Sequence, residues 1–294
     1  MRFLVLLLAL GCASQAAAQV QWSDVTRDLL QDDDLTRHAA DTAYLDGLSL
    51  SETRFSESGF DWHLIRVVNK AKPVGPLWVV PHDDENAAFD AAMAALKSYG
   101  GIVVAVNSGP DSNRFQYGNG ACGGRAALVQ RCDPNRNFSA ATPLFTAAIV
   151  GQLPEGEPII ALHTNSPGYG RGQGDITIID TEAAAKGIKR ARKDGFFGKM
   201  QPASLDNPDT YAIIPYRGGI SESHRKCREE MVMKGVSVWH ERVGKSDGSL
   251  SNHVALTMPG IHYVNMESRR EVDLVLAAER HGLMISAYVE GCKR

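Results

Sequence analysis

Beyond residue 60 the chain alternates short apolar runs with amphipathic stretches. Trp62 to Val68, Leu77 to Val80 and Ile102 to Val106 are β-branched or aromatic runs of strand length. Between the last two, Asn86 to Tyr99 spaces its apolar residues at helical intervals and stops at Gly100-Gly101, a helix-end signal. Further strands are predicted at Pro158 to His163, Ile176 to Ile179, Ala212 to Pro215, Val236 to Glu241 and Ile261 to Met266, with helices at Glu222 to Lys234 and Val272 to His281. Strands alternating with helices predict an α/β sheet covered on both faces. Residues 20 to about 60 are polar and acidic around Asp32-Asp33-Asp34, and predict an N-terminal surface segment with a helix or two. Residues 108 to 140 form a long Gly/Asn/Arg-rich stretch without clear periodicity; loops of that length are functional or disordered, and two cysteines argue for order. Neither an internal repeat nor a low-complexity linker divides the rest.

The first residues follow another pattern. Arg2 precedes the apolar run Phe3 to Leu10, and small residues follow to Ala16-Ala17-Ala18. A basic start, a short apolar core and an A-x-A site predict a secretory signal over residues 1–18, too short for a membrane anchor. Gly11-Cys12 offers a lipoprotein reading, weakened by Ala9 where a large aliphatic residue is usual. The expected location is exported, periplasmic or secreted. Cysteine usage agrees: Cys12 leaves with the signal, and Cys122, Cys132, Cys227 and Cys292 form an even set suited to two disulfides. Of the three possible pairings, proximity favours Cys122 with Cys132 and Cys227 with Cys292. With 44% hydrophobic residues among 294, the chain can bury a sizeable core. A formal net charge of −3 supplies no basic field for nucleic acid and no polybasic membrane signal.

Candidate chemistry begins at Val79-Val80-Pro81-His82-Asp83-Asp84-Glu85, where a buried strand gives way to a helix. Ligands of α/β sheets gather at the carboxyl ends of strands. His82 and Glu85 form an H-x-x-E pair whose nitrogen and oxygen both suit zinc, although an acidic helix cap beside a hydrogen-bonded histidine would read the same way. His163 ends a second apolar strand and completes a His82/Glu85/His163 set; three protein ligands with one open position is the usual catalytic zinc arrangement. A third motif, Asp133-Pro134-Asn135-Arg136-Asn137, carries a guanidinium able to pair bidentately with a carboxylate. A fourth, Ile261 to Glu267, puts a carboxylate at a strand end before the last helix.

Across roughly residues 60 to 285 these pieces, in this order, resemble the zinc metallocarboxypeptidases of the carboxypeptidase A type, and DPNRN is close to that family's D-x-N-R-N. The resemblance implies a three-layer α/β/α sandwich around a mixed, largely parallel sheet, occupying residues 61–294 after the surface segment 19–60. It implies one Zn2+ per chain on His82, Glu85 and His163, Glu267 as general base, and Asn135 with Arg136 gripping the terminal carboxylate of a peptide. It also implies an arginine that steadies the developing oxyanion; Arg125 is the choice from spacing, with Arg114 and Arg131 as rivals. Larger members carry a mobile tyrosine before the catalytic glutamate. Here Gly248-Ser249-Leu250-Ser251-Asn252-His253 has none, and His253 or Asn252 is left to line the substrate pocket. Asp-Glu following His82-Asp83 looks more like the family's bacterial murein-peptide hydrolases and related acylamino-acid deacylases.

The implied function is an exported zinc exopeptidase acting near a free C-terminal carboxylate, with peptidoglycan stem peptides as substrates suited to the compartment. A desuccinylase-like amidohydrolase and a peptide-end binding module that does not cut are the alternatives. Ser249 or Ser251 with His253 lacks a nucleophile-elbow pattern. Gly168-Tyr169-Gly170-Arg171-Gly172 lacks the Lys-Ser/Thr end of a phosphate loop.

Overall fold

The computed structural model describes residues 20–30, 32–107, 133–165, 205 and 209–292. In chain order these form β1 (Ser23–Asp24), α1 (Asp33–Arg37), β2 (Leu48–Glu57), β3 (Phe60–Asn69), β4 (Leu77–Val80), α2 (Asn86–Tyr99) and β5 (Ile102–Val106). After these come α3 (Pro143–Val150), β6 (Ile159–Asn165), β7 (Tyr211–Tyr216), α4 (Glu222–Met233), β8 (Val238–Arg242), α5 (Leu250–Thr257), β9 (Tyr263–Arg269) and α6 (Leu274–Cys292). Predicted strand Ile176 to Ile179, the signal residues, the Cys122/Cys132 pair and the Gly168–Gly172 run lie outside the described residues.

Among the described residues, nine strands make one mixed sheet in the order β1-β2-β3-β5-β4-β6-β9-β7-β8. The centre, β5-β4-β6-β9, is parallel, and β8 is parallel to β7. The β1-β2-β3 edge and the β9–β7 pair are antiparallel. Four of the eight pairings among the described strands are therefore parallel, three in the centre and one at the β7–β8 edge, so the sheet is evenly mixed where a largely parallel one was expected. One source of the difference is a hairpin. Ser58 and Gly59, at φ 56° and 83°, turn β2 straight back into β3, and two left-handed residues suit that two-residue connection.

That hairpin draws part of residues 19–60 into the sheet. Leu48 and Leu50 alternate with Ser49 and Ser51 and join the main core, so β2 belongs to the sheet. The core lies on both strand faces. Trp78 and Val80 pack in one cluster with Phe89 and Met93 of α2 and Met284 and Ile285 of α6. Leu77 and Val79 pack in another with Phe145 and Ile149 of α3 and Leu250 and Val254 of α5. This alternation explains why β4 is buried at every position.

Two ties position the elements around the site. Gly101, at φ 92°, lets the chain leave α2 and enter β5, where a Cβ would stand 2.1 Å from the Pro76 carbonyl oxygen. Cys227 of α4 is disulfide-bonded to Cys292, the last residue of α6, as expected for that pair. The final helix thus runs well past the predicted end at His281. No helix among the described residues is long and apolar enough to cross a membrane.

Candidate metal centre

Parallel β4, β6 and β9 bring their carboxyl ends to one edge of the sheet, and the candidate residues meet there. His82 lies two residues beyond β4, Glu85 immediately precedes α2, and His163 lies within β6. All three are buried, at 5%, 2% and 3% exposure. His82 Nδ1 stands 3.0 Å from Glu85 Oε1 and 3.2 Å from His163 Nδ1, and His163 Nδ1 stands 3.5 Å from Glu85 Oε2. Ligand atoms roughly 2.0–2.1 Å from a tetrahedral ion stand about 3.3 Å apart, so these separations match the edges of a zinc-sized site. The donor set of two imidazoles and one carboxylate agrees with that size.

The electrostatics are those of a cation site. Burial alone would depress the His82 imidazole, but Glu85 and Asp133 hold it up to about 9. Glu85 is moved the other way: burial opposes its charge, yet His82 and His163 keep it well below the usual carboxylate range. Burial likewise opposes the Asp133 charge, and His82 lowers its carboxyl.

Asp133 is the residue whose role sequence reasoning missed. Its Oδ1 lies 2.7 Å from His82 Nε2, on the ring edge opposite Glu85, and also accepts the Asn135 N–H at 2.9 Å. A carboxylate behind a ligating histidine fixes its tautomer and ring orientation. The signal was in view, since Asp133 opens the DPNRN motif. The tight turn Pro134–Arg136 carries the next residues over the cluster, with Asn135 Nδ2 3.4 Å from His163 Nε2. Arg136 follows, one-third exposed, and its Nη1 donates to Asp247 Oδ2 at 2.6 Å.

Glu267 of β9 pairs in register with His163 of β6, which sets both on one rung of the sheet. It accepts from Asn265 Nδ2 at 3.0 Å, and burial pushes its carboxyl up. The nearby arginines are engaged elsewhere: Arg270 pairs with Asp84 at 3.0 Å, and Arg269 with Glu271 at 3.6 Å. Behind the site, buried His281 of α6 donates from Nε2 to the His163 carbonyl at 2.9 Å.

One expected residue within the described part of the chain, His253, makes no contact with the cluster, and a second cannot be placed. Arg125 lies outside the described residues, as do Arg114 and Arg131. His253 sits on α5, with Nε2 3.2 Å from Thr257 Oγ1 on its own helix and its ring 6.4 Å from that of Phe138. These contacts give no support to the pocket-lining role expected of it. It is the first turn of α5 that reaches the DPNRN turn, through Leu250, and His253 begins the next.

No protein-family model matches this chain, and no curated protein does. Among solved structures, a candidate metallopeptidase from Shewanella denitrificans is similar at 12% identity and a TM-score of 0.46, covering 89% of this chain and 91% of its own. Succinylglutamate desuccinylase from Vibrio parahaemolyticus is similar at 12% identity and a TM-score of 0.42, over 86% of this chain and 71% of its own. An aspartoacylase family protein from Mesorhizobium loti is similar at 12% identity and a TM-score of 0.41, over 82% and 68%. Likeness at this level decides no activity. The residues of the site have to.

Proposed function

We propose that this chain is a zinc-dependent hydrolase of the metallocarboxypeptidase type that cuts a peptide bond near a free C-terminal carboxylate. The observation that carries the reading is the junction of two motifs: Asp133 of DPNRN bonds His82 of HDDE at 2.7 Å, so the Asn135-Arg136 pair is anchored directly to the metal-ligand cluster. A carboxylate-binding fork beside a metal site fits a substrate with its carboxylate one residue from the bond to be broken.

His82, Glu85 and His163 would hold the ion. Bound there, zinc would supply Lewis-acid polarisation of the scissile carbonyl and would acidify water from a pKa of 15.7 to about 7. Glu267 takes a proton from the attacking water and returns it to the leaving amine. Asn135 and Arg136 hold the terminal carboxylate and thereby place the scissile bond. Asp133 keeps the His82 ring turned toward its partners. Arg125 is assigned to the developing oxyanion.

The fold reading belongs to the same proposal: two core clusters on opposite strand faces support a three-layer α/β/α sandwich. Export to the periplasm or beyond rests on the signal pattern of residues 1–18 and agrees with the Cys227–Cys292 disulfide. Peptidoglycan stem peptides are the substrates that compartment suggests. The same fork would also hold the carboxylate of an acylated amino acid, so a desuccinylase-like amidohydrolase is the second reading. Zinc analysis together with hydrolysis of a muropeptide panel and an acylamino-acid panel separates them. Release of carboxyl-terminal residues supports the peptidase, cleavage of acylamino acids alone transfers the assignment, and absence of zinc from folded, chelator-free protein overturns both.

A further inference from the structure

The guanidinium read above as the carboxylate clamp is itself held by a segment more than a hundred residues away. Arg136 Nη1 donates to Asp247 Oδ2 at 2.6 Å, across a sequence separation of 111. The other oxygen of Asp247 is saturated. Its Oδ1 accepts from Ser249 N at 2.9 Å, Ser249 Oγ at 2.6 Å and Asn252 Nδ2 at 2.8 Å. Ser249 in turn caps α5, accepting the Asn252 N–H at 3.3 Å. The carboxylate is thus built into a helix start and cannot swing freely.

The surrounding backbone is joined in the same place. Phe138 N donates to the Gly248 carbonyl at 2.8 Å, and Leu250 N donates to Asn135 Oδ1 at 3.2 Å. Gly248, at φ 88°, lies so close that a Cβ there would stand 2.4 Å from the Arg136 carbonyl oxygen. Only glycine allows this approach.

We propose that Asp247 is a positioning residue for Arg136, and that residues 247–250 form a rigid brace for the 135–138 segment that presents the carboxylate clamp. The inference rests on the clamp reading of Asn135 and Arg136. An ion pair whose side chains are 34% and 46% exposed adds little to stability, so its value is geometric. Arg136 has five N–H donors in a fixed fork; Asp247 Oδ2 takes one at Nη1, and Nε lies 3.9 Å from Asp133 Oδ2, so the two carboxylates orient the fork from two sides.

The test is calorimetric titration of the zinc-loaded full chain with two probes. One is 2-benzylsuccinate, which can offer one carboxylate to a metal and the other to a guanidinium. The other is 3-phenylpropionate, which has a single carboxylate. The parent is expected to prefer the dicarboxylate, and Arg136→Ala to erase that preference. Asp247→Asn is expected to weaken the dicarboxylate about tenfold and the monocarboxylate less than about twofold, with zinc content unchanged and partial recovery in Asp247→Glu. Gly248→Ala is expected to give the same selective loss by displacing the Arg136 backbone. Unchanged dicarboxylate affinity in Asp247→Asn and Gly248→Ala, with Arg136→Ala still defective, overturns the brace and leaves the clamp standing. Equal weakening of both probes, or loss of zinc, also overturns it by showing general damage. A parent without dicarboxylate preference removes the clamp and the brace together.

Discussion

Asp133 Oδ1 lies 2.7 Å from His82 Nε2, on the ring edge that faces away from Glu85 and His163. The contact leaves Nδ1 to face the cluster and fixes the direction in which it points. Asp133→Asn keeps the shape of this contact and removes its charge. Zinc affinity, measured by competition with a chromogenic chelator, is expected to fall about 10- to 100-fold. Parental affinity in the variant would show that Asp133 does no more than cap its turn.

Glu267 shares a sheet rung with His163 but is not among the three converging ligand atoms. Metal binding and proton transfer should therefore separate on mutation. Glu267→Gln is expected to retain the parental zinc content and to lose activity by about 10²- to 10⁴-fold on any substrate the parent cuts. A variant that turns over at the parental rate removes Glu267 from the role of base.

His240 of β8 is buried. Burial, with Arg228 and His224 nearby, lowers its imidazole from 6.5 to about 4. The folded state then binds fewer protons than the unfolded one between those values. Its contribution to stability is complete above about 6.5 and is lost as pH falls toward 4, by up to ~1.4 kcal/mol per pH unit. Asp32 has the opposite sign over much of this range, since burial raises its carboxyl from 3.8 to about 6. The His240 share is therefore read as the difference between parent and His240→Phe in urea unfolding at pH 7, 6, 5 and 4.5. The variant should lose less stability on acidification, and parallel curves would dismiss the effect.

The Cys227–Cys292 bond joins residues 65 apart and ties α4 to the end of α6. Closing a loop of that length restricts the unfolded chain, an effect of about 4 kcal/mol on the chain-entropy account and typically 2–4 kcal/mol when measured. Replacing Cys227 and Cys292 by serine is expected to lower urea-unfolding stability by that amount, and reductant should destabilise the parent by correspondingly more than the variant. An unchanged midpoint on reduction would place the stability of this corner in packing alone.

Much of the fold was legible because its signals are local. β4, α2 and β5 announce themselves by period, β-branching and a Gly-Gly stop, each readable within a few residues. The β2 strand was readable too, in the Leu48-Ser49-Leu50-Ser51 alternation, but the surrounding acidic composition hid it. α3, an eight-residue apolar helix begun by Pro143, went unread because a short apolar run does not separate helix from strand by periodicity. At the site, His82 with Glu85 and Asn135 with Arg136 were visible as residue types at fixed spacing. The function of Asp133 was not, because it depends on where its side chain points.

The sequence by itself determined the kinds of chemistry available here: an H-x-x-E pair after a buried strand, a strand-end histidine, a D-P-N-R-N turn and a late strand-end glutamate. Those depend on side-chain identity and on backbone preferences that act over one or two turns. Only the tertiary structure decided which of them meet. His163 and Glu267 share a rung because β6 and β9 pair in parallel, 104 residues apart by number (267 − 163), and sheet register is set by packing on both faces. Arg136 finds Asp247 because α5 begins where the DPNRN turn passes. His253 meets Thr257 on its own helix and also the ring of Phe138, the second a contact that no local window foretells. Contacts between distant segments follow from strand order and helix placement, and neither is written in any local window of the chain.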